Sequence, residues 1–391
     1  MMKETTLKGL MTATINASFL LIGFAITIFG TTNNRIAGEH RMDIGQTGLL
    51  VTVMSAGRIL AVIWTWANGG RTPGKPVLFC GILLMSGGLL GAGMSIGFPM
   101  TLACFFAAGF GHGLIDVSGS TLTSALHPER FGSALSSAHM YVGIGCLLGP
   151  LIAGTVLTYS DQWRIVYYIQ GGLGILLLPA VALLAYPSYR AVPNEERMSG
   201  FDPFLYSGAF ILLAMTIFLY SGSGHSLNAW INYYMLDVVR FPEFFAAGTL
   251  AVYNLGLTAG RLVCSKVMEK TGYRNVLLAG SIGALLSITA SLYTEDRVIM
   301  VICLFLLGAF FGGLFPTTIA VARKLYPDRI TAVTSVLVLA ASIGSMTFPY
   351  ATGLLSRAMG INDGLKLLII PVSIIVPVTL YLRIKKIKRS N

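Results

Sequence analysis

A chain of 391 residues that is 54% hydrophobic and 11% charged lies far from the roughly 25% charged composition of soluble globular domains. Its net charge of +11 invites a nucleic-acid reading, but the basic residues are biased by segment. With the N-terminus inside, cytoplasmic stretches hold 18 Lys and Arg and outer loops hold 7, the positive-inside pattern of a membrane protein, so no nucleic-acid partner is expected.

Apolar runs of about 20 residues, enough to cross roughly 30 Å of hydrocarbon, are predicted near 10–30, 47–67, 76–96, 99–125, 132–157, 163–186, 204–235, 245–267, 276–293, 298–322, 331–355 and 365–383. Each is predicted to be a helix, because a helix satisfies its own backbone where water is absent. The first follows Lys3 and Lys8 without a small-residue cleavage site and is read as a retained helix. Its Asn16, Thr27, Thr31 and Asn34 share one side around Gly23, a pattern that more often serves close packing; Asn34 is kept as a candidate solute contact. The second run carries Arg58.

The fourth run, "GFGHGLIDVSGS", places His112, Asp116, Ser120 and Thr123 within about 80° of one another on a helix. Asp116 alone among 16 acidic residues falls near mid-membrane, where an ionised carboxylate costs several kcal/mol and marks a substrate or proton path. Asp116 with His112 is therefore predicted to couple protons, with Ser120 as a solute contact. The alternative is a structural carboxylate paired with His112 or an in-membrane Arg.

The seventh run, "SGSGHSLNAWINYY", sets Ser221, His225, Asn228 and Asn232 along one face, and Gly222 and Gly224 predict a loosened or broken helix. Amides both donate and accept, so His225, Asn228 and Asn232 are candidate contacts for a hydroxylated solute, with Trp230 and Tyr233 as stacking partners. In the eighth run Asn254 is a further candidate, sharing a face with Thr258 and Arg261. Arg58 and Arg261 are read as structural cations, or as anion-binding groups if both face a cavity. All five cysteines, Cys80, Cys104, Cys146, Cys264 and Cys303, fall inside runs without metal-ligand spacing and are read as small core residues. The connection "PSYRAVPNEERMSGFDP" is a polar loop, and the "RIKKIKRSN" tail is a topology and lipid-surface signal. Phosphate loop, zinc spacing and nucleophile elbow are missing, so no enzyme, metal or cofactor is expected.

Sliding the sequence by 199 residues sets Gly109, Gly113, Leu126, Pro128, Arg130, Gly145, Pro150 and Gly154 on Gly308, Gly312, Leu325, Pro327, Arg329, Gly344, Pro349 and Gly353. Two halves of six helices in the same orientation match the plan of a transporter with its site near the midplane. The expected division is 1–190, a cytoplasmic linker 191–203, and 204–391. With "EKTGYR" after the eighth run and "RTPGKP" after the second, the latter with Arg71 where an Asp would stand, the chain resembles the major facilitator superfamily over essentially its whole length. The fourth and seventh runs look most like its fucose and glucose permease branch. That resemblance implies a monomer whose first, fourth and seventh helices line a central cavity.

The first reading is a proton-coupled importer of a sugar or similar small polar solute, working by alternating access in a bacterial inner membrane with both termini cytoplasmic; sodium remains open as the ion. The second is a drug or metabolite antiporter, since "GCLLGPLIAG" resembles the helix 5 motif of such exporters. An organic-anion transporter and a transporter-like receptor are the remaining readings.

Overall fold

The computed structural model describes residues 2–68, 74–187, 203–326 and 330–384. Arg71, the expected linker 191–203 except Pro203, the "LYPDR" proline and arginine, and most of the basic tail lie outside the described residues. The helices are α1 (Met2–Glu39), α2 (Ile44–Ala67), α3 (Gly74–Gly93), α4 (Phe98–Leu126), α5 (Phe131–Tyr159), α6 (Arg164–Leu183), α7 (Gly208–Asp237), α8 (Glu243–Thr271), α9 (Tyr273–Tyr293), α10 (Arg297–Leu325), α11 (Ile330–Met359), α12 (Ile361–Lys366) and α13 (Ile369–Ile384). Among the described residues, eleven segments are long and apolar enough to cross a membrane, with α12 and α13 together forming one of them. The remaining span, α8, carries Arg261, Lys266 and Lys270. This is an all-α membrane fold of twelve spans in two six-helix bundles.

The chain divides into two compact units, one of residues 1–194 with 242–248 and the other of 195–241 with 249–391. The start of α8 joins the first unit for a physical reason: Glu243 pairs with Arg35 at 2.7 Å, and Ala247 packs on Gly154.

The duplication is written in backbone packing. Gly109 of α4 lies against the Met54 carbonyl of α2, and Gly308 of α10 lies against the Tyr253 carbonyl of α8; a β-carbon at either glycine would overlap that carbonyl. Gly57 and Gly256 face Phe106 and Phe305 in the same way. Because these glycines keep the 199-residue register, Arg58 corresponds to Leu257, and Arg261 sits one turn farther along α8. The turns after α1 and α7 repeat as well. Arg41 (φ 52°) and Arg240 (φ 60°) both take the left-handed conformation, uncommon for a residue with a side chain. At α1 this closes the helix with Met42 N–H donating to the Ala37 carbonyl at 2.8 Å, a left-handed C-terminal cap.

Four expectations are corrected. First, α1 continues about two and a half turns past the expected end near residue 30, to Glu39, because no helix breaker intervenes and Arg35 and Glu39 find ionic partners. Second, α7 runs unbroken through Gly222 and Gly224; Gly222 seats the ring of Phe348 from α11, and Gly224 faces Tyr253 of α8 and Phe311 of α10, so these small residues serve helix packing. Third, the last span is interrupted at Leu367 and Leu368. Pro371 lacks the N–H that would reach Leu367, and the Leu367 carbonyl instead accepts from Ile370 at 3.1 Å. Fourth, only Cys146 and Cys264 are core residues; Cys80 is exposed, and Cys104 and Cys303 are half-buried, as expected of small apolar residues on lipid-facing sides of spans.

Candidate functional site

In the first unit, the glycine contacts draw α2 and α4 close enough for their side chains to meet. Arg58 Nη2 donates to Asp116 Oδ2 at 3.1 Å, with the two side chains 32% and 25% exposed. An ion pair taken out of water is retained only if its charges are matched, and here each partner supplies the other's countercharge while neither is fully enclosed. The Ser120 hydroxyl donates to the Asp116 main-chain carbonyl at 2.7 Å and Thr123 to that of Gly119, so both resting hydroxyls are turned onto their own helix.

His112 is buried, and both His112 and His139 act electrostatically on Asp116. His139 belongs to a different helix. It reaches this neighbourhood from α5, edge-on to Phe19 with ring centroids 5.2 Å apart. His127 meets Thr12 Oγ1 at 2.9 Å.

Asn34 is not part of this group. It stands beside Arg35, which binds Asp161 at 3.0 Å and Glu243 at 2.7 Å. The neighbouring contact of His40 with Ser95 at 3.1 Å fixes the relative heights of α1 and α4. At 1.5 Å per residue, Asn34 and Asp116 are then about 20 Å apart along the bundle.

That same end carries a second network. Trp163 Nε1 donates to Glu39 Oε2 at 2.6 Å, and Arg164 pairs with Glu39. Arg164 also donates to the carbonyls of Gly93 at 2.6 Å and Ser95 at 3.0 Å.

In the second unit, a pair of amides joins α7 to α8. Asn254 Nδ2 donates to Asn228 Oδ1 at 3.0 Å and to the Leu250 carbonyl at 2.9 Å, while Asn228 Nδ2 donates to the Gly224 carbonyl at 3.0 Å. After these bonds the pair still offers the Asn254 carbonyl oxygen and one Asn228 N–H. His225 Nδ1 contacts the Ser221 carbonyl at 2.8 Å.

Asn232 and Trp230 are buried. The Trp230 indole donates to the Pro349 carbonyl at 2.9 Å, and the half-buried Tyr233 meets Trp230 edge-on, with ring centroids 6.3 Å apart. Tyr253, which the sequence did not single out, is buried with a hydroxyl that has no hydrogen-bond partner among the described residues. That hydroxyl faces Gly224, 3.3 Å from where a β-carbon would stand. Arg261 is exposed and makes no ion pair among the described residues. The position in this half that corresponds to Asp116 is Phe315.

The glycines of "GCLLGPLIAG" serve helix contact. Gly145 lies on the Leu20 carbonyl of α1, and its repeat Gly344 lies on the Phe218 carbonyl of α7.

Comparison with known proteins agrees with this architecture. The family model of the Major Facilitator Superfamily matches residues 15–294 and 249–391. The chain is 22% identical over 365 residues to the uncharacterized MFS-type transporter YfkL of Bacillus subtilis (strain 168), covering 92% of each chain. It is 24% identical over 364 residues to the uncharacterized MFS-type transporter YcaD of Escherichia coli (strain UTI89 / UPEC), covering 88% of this chain and 89% of the relative. Among solved structures, a bacterial homolog of the human lysosomal transporter Spinster, inward-facing and occupied, superposes with a TM-score of 0.81 at 16% identity, covering 97% of this chain and 98% of that one. A D-xylose-proton symporter superposes at 0.78 and 13% identity, with the same coverage.

Proposed function

Since the chain belongs to the Major Facilitator Superfamily, and is therefore a multi-pass membrane transporter of small molecules, we propose that it takes up a sugar or similar small polar solute by alternating access, driven by protons exchanged at Asp116. The observation that carries this reading is the ion pair between Arg58 and Asp116 at 3.1 Å, partly exposed within a span. Protonation of the carboxyl removes its charge and releases the guanidinium. Loss of the proton on the other side of the membrane restores the pair. The charge balance of the bundle thus changes with proton occupancy, which is what coupling requires. His112 and His139 complete the electrostatic surroundings of the carboxyl.

The amide pair Asn228 and Asn254 is the proposed solute contact, because its spare acceptor and donor suit hydroxyl groups; His225, Asn232, Tyr233, Ser120 and Asn34 are secondary candidates. Trp230 is proposed as the pillar behind the amides. The sugar assignment rests on the likeness of helices 4 and 7 to the fucose and glucose permease branch, and the D-xylose-proton symporter is a solved relative in fold. The bundles are taken as 1–190 and 204–391 with a linker at 191–203, and the bias of Lys and Arg puts both termini in the cytoplasm.

The test is uptake into proteoliposomes under an imposed pH gradient, using a panel of labelled monosaccharides and a cationic dye. Asp116→Asn abolishes gradient-driven accumulation and spares counterflow exchange; uphill uptake at the wild-type level by this variant would end the proposal. The double variant Arg58→Gln/Asp116→Asn separates coupling from structure. A structural pair is rescued by removing both charges, whereas a coupling carboxyl is not.

One observation favours a second reading. Arg261 has no acidic partner among the described residues, and a cation of that kind suits an organic anion such as a sugar acid. Export is the less favoured direction, because close packing of α5 on α1 accounts for the glycines of the exporter-like motif.

A further inference from the structure

Within the second unit, α8, α9 and α10 leave a groove of about 460 Å³, in the range of about 300–1,000 Å³ typical of ligand sites. It exists because small residues meet there: Gly260 on α8, Ala279 and Gly280 on α9, and Ala309 and Gly313 on α10. The walls are apolar, and several of their side chains are open to the surroundings, with Val263 60% and Val267 39% exposed. In a membrane span, those surroundings are acyl chains.

Polar groups occur at one end only, at Thr271 and Asn275, on either side of Gly272. That residue's φ of 86° lets α8 turn directly into α9. The Asn275 amide donates to the Thr271 carbonyl at 2.7 Å, which ties the two helix ends together. Cations gather at this end. Lys270 precedes Thr271, Arg274 precedes Asn275, and Lys266 stands one turn back on α8. Lys324 of α10 lies over the Tyr273 ring, 4.1 Å from its centroid. Glu269 is the one acid between 266 and 274.

An apolar trough along a span with a cationic end is the complement of one class of molecule. We propose that the groove between α8, α9 and α10 binds an anionic phospholipid, with an acyl chain along Val263, Val267 and Ala279 and the phosphate beside Lys270 and Arg274. A zwitterionic choline lipid brings its own cation to the same end and fits less well. The inference depends on the membrane fold alone and not on which solute is carried.

Native mass spectrometry of the delipidated full-length protein tests it, with palmitoyl-oleoyl phosphatidylglycerol, palmitoyl-oleoyl phosphatidylcholine and inorganic phosphate as probes. Phosphatidylglycerol adducts are expected at roughly five-fold or higher occupancy than phosphatidylcholine adducts. Lys270→Gln/Arg274→Gln should bring the two to parity. Ala279→Trp, which fills an exposed part of the trough, should reduce both lipids. Thermal unfolding of each variant verifies folding, and the charge variant alone decides the question if Ala279→Trp does not fold. Equal retention of the two lipids by the wild type, unchanged selectivity in the charge variant, displacement by inorganic phosphate alone, or a protein dimer occupying the face in place of lipid would each overturn the proposal.

Discussion

The helix pair α2 and α4 and its repeat, α8 and α10, share one backbone contact and differ in their chemistry. In both, glycines let a carbonyl of one helix press on the other. In the first the contact is crossed by Arg58 and Asp116; in the second the same positions hold Leu257 and Phe315. The second half instead sets a pair of amides, Asn228 and Asn254, between α7 and α8. Duplication has kept the packing that builds a bundle and left each half free to specialise: one carries a titratable charge, the other carries neutral donors and acceptors.

The sharpest way to break that comparison is to neutralise the charge. Asp116→Asn is expected to lower pH-gradient-driven accumulation by at least about ten-fold, while Leu257→Ala at the matched position leaves it within about two-fold; equal losses would show that the division of labour is wrong. Next come the shared contacts. Gly109→Val and Gly308→Val each force a side chain into a carbonyl that cannot move aside, so each should cost about 3 kcal/mol, read as similar drops in thermal stability. A large drop in only one would mean that the halves are not packed alike.

A smaller effect is expected from Asn254→Ala, which removes the Asn228 partner and should cost about 1–2 kcal/mol. It should also raise the KM of the transported solute, and an unchanged KM would take the amides out of the binding site.

The smallest effect concerns His40. Burial pulls this imidazole below its ordinary value and Arg164 does the same, while Glu39 pulls it upward. A group with a depressed folded value contributes its stability fully above its unfolded value of about 6.5, and that stability is lost as the pH falls through the folded value. The melting temperature should therefore fall between pH 7 and pH 5.5, and His40→Gln should flatten that fall.

Much of this fold is legible in the sequence, because lipid restricts spanning segments to helices whose length and apolarity are plain. The unbroken α7 was not, since Gly222 and Gly224 read equally as a weak point or as a seat for a neighbour, and Phe348 comes from a helix more than a hundred residues away. The paired arginine turns at Arg41 and Arg240 fit the 199-residue repeat, yet a single arginine gives no sign that its backbone is left-handed. At the candidate site, Asp116 stood out by its cost in a membrane, and an intramembrane Arg was a foreseeable partner. Which Arg it would be was decided by glycines at 57, 109 and 113, whose role appears only when two helices are set side by side. His139 and Tyr253 carried no signal, since the helices that each faces are unknown until the chain is packed.

The network around Glu39, Trp163 and Arg164 has a mechanical consequence. It rivets the end of α1 to the turns between α3 and α4 and between α5 and α6, so that this rim of the first unit behaves as a stiff plate. At the opposite rim the described ties are single bonds such as those of Thr12 to His127 and Lys75 to the Ala182 carbonyl. Bending within the unit should therefore concentrate away from the riveted rim, and spin labels placed at the two rims would register unequal spreads of distance.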